Sequence, residues 1–244
     1  MPPRPPRPLV IAHRGASAYQ PENTLPAYAL ALEQRADMIE IDLHRTRDGA
    51  IVIAHDADLA HFGAGGAIAD ATLEQVRALD AGHRFGVPAR VPTLDEVLDA
   101  FGARIPFNLE LKWSEQGDYP GLEAETLAAL DARRLGASIL FSSFRDSVLA
   151  RLRAARPAAR LAVLVDPREP ARMLARAEAV GAEALNPHWS LVDAQLVRDA
   201  HGAGLAVYVY TVDELDQMER LLELGVDGLF TNRPDRMRAL LGDG

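Results

Sequence analysis

Short apolar runs alternate with helix-patterned stretches along almost the whole chain, and this alternation constrains the fold more than any other feature. Such runs are typical of buried strands, and the stretches between them are typical of βα units. Eight units predict an α/β protein with a closed (β/α)8 TIM barrel, for which 244 residues are sufficient. The predicted strands lie near Leu9–Ala12, Met38–Leu43, Pro106–Leu111, Ser138–Phe141, Leu161–Val165, Ala184–Asn186, Leu205–Val209 and Gly228–Phe230.

Helical patterns follow most of these strands, and several begin at residues that commonly cap helices. Asn23 and Thr24 precede the first helix, and Asp213 precedes the seventh. The pattern predicts helices over residues 24–35, 121–134, 145–155, 213–224 and 234–241. An open doubly wound sheet is the alternative fold, but no GxGxxG phosphate loop follows the first strand.

The connection between predicted strands 2 and 3 is much longer than the others. This insert, roughly residues 57–103, contains a glycine-rich turn at Gly63–Gly66 and short helices from Thr72 and Thr93. It predicts a small cap near the barrel mouth, within a single domain over residues 9–244. The proline-rich residues 1–8 predict a flexible tail.

Composition excludes several classes of protein. The chain has no cysteine, so it has no disulfide framework, thiol nucleophile or cysteine metal site. A formal net charge of −9 argues against a nucleic-acid-binding or anionic-membrane surface. No run has the length of a membrane span and the start lacks the apolar core of a signal peptide, so we expect no stable membrane anchor. These features are consistent with a cytoplasmic protein, as a monomer or a homodimer.

Charged residues occupy the ends of two predicted strands, where barrel enzymes place their active sites. Glu40 and Asp42 share one face of strand 2, because side chains alternate along a strand. Glu110 and Lys112 share one face of strand 3 with Asn108. The residues between them are apolar and are predicted to face the helices: Ile39, Ile41, Leu43, Leu109 and Leu111.

Three buried carboxylates repel one another, and a divalent cation relieves that repulsion. Oxygen ligands from Glu40, Asp42 and Glu110 predict a hard cation, Mg²⁺ or Ca²⁺, with Mn²⁺ as a further candidate. The alternative is a buried ion-pair network of these carboxylates with Arg14 and Lys112, without a metal.

Two histidines are predicted near the same mouth. His13 ends strand 1, and His55 follows a predicted hairpin beyond strand 2. Imidazoles suit acid–base chemistry near neutral pH, although a lone histidine is more often structural. Asp56 either orients the His55 ring or shapes the backbone. Of the other histidines, His44 is predicted to border the site, His61, His83 and His188 to line the mouth, and His201 to be solvated.

With these residues in hand, the chain resembles the glycerophosphodiester phosphodiesterases over nearly its whole length. The resemblance rests on the following motifs: His13-Arg14-Gly15, Pro21-Glu22-Asn23-Thr24, Glu40-x-Asp42, Asp48-Gly49, His55-Asp56, Leu79-Asp80-Ala81-Gly82, Pro92-Thr93-Leu94-Asp95-Glu96, Asn108-x-Glu110-x-Lys112, Ser142-Ser143-Phe144 and Asp227-Gly228-x-x-Thr231-Asn232-Arg233-Pro234. The resemblance implies a TIM barrel with an insert after strand 2, and hydrolysis of small-molecule glycerophosphodiesters to sn-glycerol 3-phosphate and an alcohol.

Carried over by position, the resemblance implies a role for each residue of the site. Glu40, Asp42 and Glu110 would bind the metal. Arg14 and Lys112 would hold phosphate oxygens, an anion that arginine binds well in bidentate fashion. His13 and His55 would be the acid–base pair, and either could be the acid. The resemblance also leaves two routes: direct attack by water, or attack by the glycerol 2-hydroxyl through a cyclic intermediate. Glu22 is predicted either to cap the first helix or to touch the metal site.

The chain also departs from the family pattern. Tyr210-Thr211 stands where the family often has Trp-Thr, and Thr231-Asn232 stands where it often has Thr-Asp. A glycine-rich turn replaces the usual Arg-Thr-rich turn of the cap. Three aromatic residues are predicted as the apolar wall of the substrate pocket, with core packing as the alternative: Phe85, Trp189 and Tyr210.

Two other functions stay open. One is a phospholipase D-like lyase that acts on lysophospholipids and forms a cyclic phosphate, although the cap lacks an obvious lipid-seeking loop. The other is a non-catalytic barrel that binds a phosphorylated metabolite, although all the predicted catalytic positions are filled.

Overall fold

Strand pairing closes the main sheet into a barrel in the computed structural model, which describes residues 7–242. Eight parallel strands pair in the order β1-β2-β4-β7-β8-β9-β10-β11 and back to β1, with β3 antiparallel on the edge of β2. The strands are β1 Leu9–His13, β2 Met38–Arg45, β3 Ile51–Ile53, β4 Phe107–Leu111, β5 Trp113–Ser114, β6 Gly117–Asp118, β7 Ile139–Ser143, β8 Arg160–Val165, β9 Ala184–Pro187, β10 Ala206–Val209 and β11 Gly228–Thr231.

Helices surround the barrel. They are α1 Leu25–Glu33, α2 Leu73–Arg77, α3 Leu94–Phe101, α4 Leu122–Arg133, α5 Asp146–Ala155, α6 Met173–Val180, α7 Ala194–Gly202, α8 Leu215–Glu223 and α9 Pro234–Leu240. Four short 3₁₀ turns add to them, at Ala60–Phe62, Ile68–Asp70, Gly136–Ser138 and Trp189–Leu191. The predicted TIM barrel is confirmed, with all eight predicted strands present.

One predicted helix start is wrong. Asp213 was expected to begin the helix after β10, but α8 begins at Leu215 with Glu214 as its N-cap. The Asp213 carboxylate instead accepts hydrogen bonds from Thr231 and Asn232 at the end of β11. A capping side chain and a tertiary acceptor have the same sequence signature, because both are short and polar.

The alternation along the strands separates two apolar layers. As predicted, the residues between the acidic positions of β2 and β4, such as Ile41 and Leu109, belong to the large cluster that packs against the helices. A second cluster fills the barrel below the acidic residues: Ile11, Met38, Leu140, Ala162, Ala184, Tyr208 and Phe230. The charged groups therefore lie above a closed apolar floor, at the carboxyl ends of the strands.

The segment between β3 and β4, which was predicted as a cap, has a small core of its own. Its buried residues include Leu59, Phe62, Ile68 and Val76, and they form a cluster separate from the main core. α3 differs from the prediction that placed it in this cap. Its buried residues belong to the main core, so α3 is the outer helix of the barrel between β2 and β4.

Two further predictions concern the chain termini and membranes. Residues 1–6 of the predicted tail lie outside the described residues, while exposed Arg7 donates a hydrogen bond to Asp37 at 3.0 Å. Within residues 7–242, no helix has both the length and the apolar character needed to cross a bilayer.

Candidate active site

Three carboxylates meet at the carboxyl ends of β2 and β4. Glu40 and Asp42 point inward from β2, and Glu110 is the direct register partner of Asp42 on β4. All three side chains are buried, and one oxygen from each lies within 4.8 Å of the others. The strand register therefore brings together the three residues that were predicted as metal ligands.

Burial and mutual repulsion act on these carboxylates. Burial, together with the charges of Asp42 and Glu110, raises the pKa of Glu40 well above its ordinary value. Burial also raises the pKa of Glu110. The pKa of Asp42 is lowered, because Lys112 and Arg14 outweigh the cost of its burial. The cluster thus holds more negative charge than its surroundings stabilise.

The two predicted phosphate-binding cations lie beside this cluster. Lys112 Nζ donates a hydrogen bond to Glu110 Oε1 at 2.8 Å and lies 3.3 Å from Asp42 Oδ1. Arg14 Nε lies 3.4 Å from Asp42 Oδ2, and its Nη1 donates to Glu22 at 3.0 Å. The ion-pair network that was predicted as the alternative to a metal site is therefore present in part.

Glu40 is the exception to that network. Its Oε2 accepts a hydrogen bond from the backbone N–H of Arg14 at 3.0 Å. Its Oε1 is buried and has no hydrogen-bond partner among the described residues. A buried carboxylate oxygen without a partner is costly, and a hard divalent cation would satisfy it. The donor set therefore fits a divalent cation better than ion pairing alone.

The turn after β1 holds two of these groups in place. Arg14 and Asn23 both have left-handed backbones with φ of 57°, and the N–H of Asn23 donates to the carbonyl of Arg14 at 3.0 Å. Asn23 Nδ2 also donates to Asp42 Oδ2 at 2.8 Å. Glu22 neither caps α1 nor belongs to the carboxylate cluster; it pairs with Arg14. The strained turn therefore orients both a cation and a carboxylate.

Gly15 makes this turn possible, and its replacement is a test of the fold. Gly15 has φ of +85°, and an added Cβ would lie 2.7 Å from the carbonyl carbon of Ala27. We expect Gly15→Ala to lower the free energy of unfolding by about 3 kcal/mol, through backbone strain and overpacking. Urea denaturation would measure the loss. Gly202→Ala is the control, since a Cβ there meets no atom within 4 Å, and it should change stability by less than about 1 kcal/mol.

Both predicted catalytic histidines are held through Nδ1. His13 Nδ1 lies 2.8 Å from Asn232 Oδ1, and His55 Nδ1 lies 2.8 Å from Asp56 Oδ1. Burial and the charge of Arg14 lower the pKa of His13 to about 3, so this ring is neutral. A nitrogen held in this way leaves Nε2 as the one that a ligand in the cavity can meet.

His44 holds the backbone of His55 through a hydrogen bond. Its ring is buried, with Nδ1 at 2.8 Å from the hydroxyl of Tyr119 and Nε2 at 3.1 Å from the carbonyl oxygen of His55. Since a carbonyl only accepts, His44 Nε2 donates and Nδ1 accepts from Tyr119. His44 therefore borders the site, as predicted, and fixes the backbone that carries His55.

This buried histidine makes stability depend on pH. Burial lowers the pKa of His44 to about 4, from 6.5, so the unfolded chain takes up a proton below pH 6.5 while the folded protein does not. The contribution of His44 is therefore present at pH 7 and declines as the pH falls towards 4. We expect the stability difference between wild type and His44→Gln to be about 2 kcal/mol smaller at pH 5 than at pH 7. Urea titrations at both pH values measure it, and an unchanged difference would contradict a neutral buried ring.

Two of the three carboxylates, Glu40 and Glu110, line a cavity of about 240 Å³ at the barrel mouth. Its wall includes both predicted catalytic histidines, Arg14 and Lys112. On its floor, Asn108 Nδ2 donates to Ser142 Oγ at 2.7 Å. A larger open cavity of about 830 Å³ adjoins it and shares His55, Lys112, Phe144 and Leu164.

The three aromatic residues predicted for the pocket wall have different places. Tyr210 lines the smaller cavity, its hydroxyl donates to the carbonyl of Val165 at 2.8 Å, and its ring meets Phe144 edge-on at 6.0 Å. Trp189 packs against the main core and beside the ring of His188, which does line the cavity. Phe85 is 41% exposed in the cap and lines neither cavity, so the structure does not bring it to the other site residues.

The prediction for His201 was wrong. It was expected to be solvated, but its side chain is only 14% exposed and its Nε2 lies 2.8 Å from Asp227 Oδ2. The same carboxylate oxygen accepts from the backbone N–H of Val207. Because the pairing joins a helix end to a distant loop, the local pattern around His201 contained no sign of it.

The supporting roles of several residues were not predicted from the sequence. Asn232 lies between Asp213 and His13, and Asn23 donates a hydrogen bond to Asp42. The available signals were the Pro21-Glu22-Asn23-Thr24 motif and position 232, where the chain departs from the family pattern. Tyr119, which holds His44, lies in a connection with no motif at all.

Known proteins that are similar to this chain are named as phosphodiesterases of one kind. A model of the glycerophosphoryl diester phosphodiesterase family matches residues 13–236. A glycerophosphodiester phosphodiesterase of Bacillus subtilis (strain 168) is 35% identical over 255 residues, covering 95% of this chain and 85% of its own. One from Caldanaerobacter subterraneus subsp. tengcongensis is 35% identical, covering 97% and 98%. The crystal structure of an Oleispira antarctica phosphodiesterase, in complex with the product sn-glycerol-3-phosphate, has a TM-score of 0.82 at 32% identity, covering 97% of both chains.

Proposed function

The chain belongs to the glycerophosphoryl diester phosphodiesterase family, and on that basis we propose that it hydrolyses glycerophosphodiesters to sn-glycerol 3-phosphate and an alcohol. One observation carries the proposal. Two imidazoles, two cations and two carboxylates of the three-carboxylate cluster line one cavity of about 240 Å³. The product bound to the Oleispira antarctica relative supports sn-glycerol 3-phosphate as a product here.

The same proposal assigns a divalent cation to the carboxylate cluster. Glu40, Asp42 and Glu110 would hold it, with Mg²⁺ or Ca²⁺ favoured by their oxygen donors and Mn²⁺ as a further candidate. When bound, such an ion supplies positive charge that offsets the charge of the phosphodiester. The unpartnered Oε1 of Glu40 supports this assignment, because ion pairing leaves it unsatisfied.

Arg14 and Lys112 would bind the phosphate oxygens. Both side chains line the cavity, and each already lies beside a carboxylate of the cluster. The carboxylates hold them at fixed positions, so little side-chain entropy is lost when an anion binds. Tyr210 would form part of the apolar wall beside the substrate.

The two histidines would divide the proton transfers according to their partners. Asp56 is a carboxylate, which stabilises an imidazolium, so His55 suits the general acid that protonates the leaving alcohol oxygen. The other imidazole, His13, meets the uncharged amide of Asn232 and would be the base that takes the proton from the attacking hydroxyl. One P–O bond forms to the attacking oxygen, and the P–O bond to the alcohol breaks.

The larger cavity favours a polar alcohol over an acyl chain. Its lining includes Arg145, Asp166, Arg168 and Glu169, beside Trp113. Arg168 pairs with Asp166 at 2.5 Å, and the guanidinium of Arg145 lies 4.9 Å from the centre of the Trp113 ring. Removing an acyl chain from water next to such groups gains little, since they must stay hydrated. This lining favours the hydrolase over a lyase that acts on lysophospholipids.

Product analysis with glycerophosphocholine tests the proposal. Purified protein would be incubated with Mg²⁺, Ca²⁺, Mn²⁺ or EDTA while choline and glycerol 3-phosphate are followed, with ³¹P NMR of the phosphorus products. We expect equal amounts of choline and glycerol 3-phosphate with a divalent cation, and neither in EDTA. Cyclic phosphate as the final product would instead indicate the lyase. Folded protein that is inactive on every glycerophosphodiester would indicate a binding protein.

A cytoplasmic location and a monomeric or homodimeric state stay predictions for this protein.

A further inference from the structure

A carboxylate behind the site fixes the orientation of the Asn232 amide. Asp213 accepts hydrogen bonds from Thr231 Oγ1 at 3.0 Å, from the backbone N–H of Asn232 at 2.8 Å and from Asn232 Nδ2 at 2.6 Å. A carboxylate has no proton to donate, so the amide atom that faces it at 2.6 Å must be the NH₂ group. The amide oxygen of Asn232 is therefore the atom that points the other way, towards β1.

That oxygen determines which nitrogen of His13 carries the proton. Asn232 Oδ1 lies 2.8 Å from His13 Nδ1, and Ser17 Oγ lies 2.7 Å from the same oxygen. An amide oxygen only accepts, so His13 must donate from Nδ1. In a neutral imidazole with its proton on Nδ1, Nε2 keeps its lone pair and can accept a proton.

We propose that Asn232 is a positioning residue that, with Asp213 behind it, fixes His13 in the Nδ1–H tautomer and presents Nε2 as a proton acceptor. The chain of contacts joins the ends of β1 and β11 with the loop before α8. The structural part of this inference stands on hydrogen bonding alone. Its catalytic consequence rests on the proposed function, in which His13 is the base.

The same contacts explain why asparagine stands where the family often has aspartate. A carboxylate at position 232 would place an oxygen about where Nδ2 now lies, 2.6 Å from Asp213 Oδ2. Two carboxylate oxygens at that distance repel each other strongly. An amide instead donates to Asp213 on one side and accepts from His13 on the other. The departure at position 232 is therefore compatible with an intact site.

The tautomer can be measured directly. Long-range ¹H–¹⁵N correlation spectra of the full-length protein, labelled with ¹⁵N-histidine, distinguish protonated from unprotonated ring nitrogens, and His13→Gln identifies the His13 signals. We expect a protonated Nδ1 and an unprotonated Nε2 in wild type at pH 7. A protonated Nε2 on His13 in the wild type would overturn the proposal without any further variant.

Two substitutions test the role of the contacts. In Asp213→Asn the residue behind Asn232 gains a donor, so the Asn232 amide can rotate and His13 should populate the second tautomer. In Asn232→Ala the acceptor is lost, and a mixture of tautomers is expected. Asp199→Asn, an exposed carboxylate-to-amide change on α7, is the control and should keep the wild-type spectrum. Unchanged His13 signals in both test variants would overturn the proposal.

Kinetics separate positioning from substrate binding. We expect Asn232→Ala and Asp213→Asn to lower kcat by about 10- to 100-fold with KM changed less than about threefold, since partners that orient a histidine have effects of this size. A loss confined to KM would contradict a positioning role. Wild-type protein with the Nδ1–H tautomer but no phosphodiesterase activity would overturn the proposed function and leave the inferred tautomer standing.

Discussion

Replacement of His55 by alanine is expected to lower kcat for glycerophosphodiester hydrolysis by about a thousandfold and to leave the fold intact. General acid catalysis contributes roughly 10²- to 10⁴-fold, and the poor leaving group of an alkyl phosphodiester places the effect within that range. The His55 side chain is 37% exposed and meets Asp56, which itself remains accessible, so little packing is lost. Stability should therefore change by less than about 1 kcal/mol.

The control for His55→Ala is a substitution of a histidine outside the active site. His83→Ala is suitable, because His83 is exposed in the cap and lines neither of the two cavities at the barrel mouth. Steady-state rates with a divalent cation, together with thermal unfolding, would be measured for both variants. Retention of more than a tenth of the wild-type kcat by His55→Ala would exclude His55 as the general acid. A substrate with a more acidic leaving alcohol should restore much of the lost rate, since it needs less protonation.

Glu40→Gln is expected to lower activity strongly while leaving the metal-free protein as stable as wild type or more so. The carboxylate of Glu40 is buried beside two others, and its pKa is raised, so its ionised form opposes folding at neutral pH. Glutamine resembles the protonated form and removes this opposition. The same change removes a ligand from the proposed cation site, and we expect kcat to fall by at least about a hundredfold.

The sign of the pH dependence follows from that raised pKa. An acid whose pKa is higher in the folded protein contributes stability that is fully present below its unfolded-state pKa and is lost as the pH rises through the folded-state pKa. In EDTA, wild-type protein should therefore lose this contribution between mildly acidic and alkaline pH, whereas Glu40→Gln should not. Urea denaturation of both proteins across this range measures the difference.

Cation addition separates the two proteins further. At about 100 times the dissociation constant, binding should stabilise the wild type by roughly 3 kcal/mol, a rise in Tm of about 5 to 10 °C for a chain of this size. Glu40→Gln should show little or no rise. Glu219→Gln, an exposed position on α8, is the matched control and should respond as the wild type does. An equal rise in Tm for Glu40→Gln and wild type would place the cation elsewhere or exclude it.

Much of the site followed from the sequence because strand geometry is local. Side chains alternate along a strand, so Glu40 and Asp42 must share a face whatever surrounds them. The same reasoning placed Lys112 beside Glu110, and their contact of 2.8 Å agrees with it. Motif spacing extended the prediction to His13 and His55, because His13 ends β1 and His55 follows β3 closely.

Other expectations failed where a residue has two possible partners. Asp213 had the appearance of a helix cap and His201 that of a solvated side chain, yet each pairs across the fold. Glu22 had two predicted roles and has a third, as the partner of Arg14. In each case the local sequence is compatible with several hydrogen bonds, and only the packed chain selects one of them.

The barrel, the inward face of each strand and the chemical types at its mouth could be predicted from the sequence, because apolar burial and strand alternation act over a few residues and tolerate small displacements. How those groups are held depends on contacts between distant parts of the chain. Asn232 reaches His13 across 219 residues of chain, and Tyr119 reaches His44 across 75. A hydrogen bond requires its atoms to lie within a few tenths of an ångström of their proper separation, and that precision arises only when the whole barrel has closed.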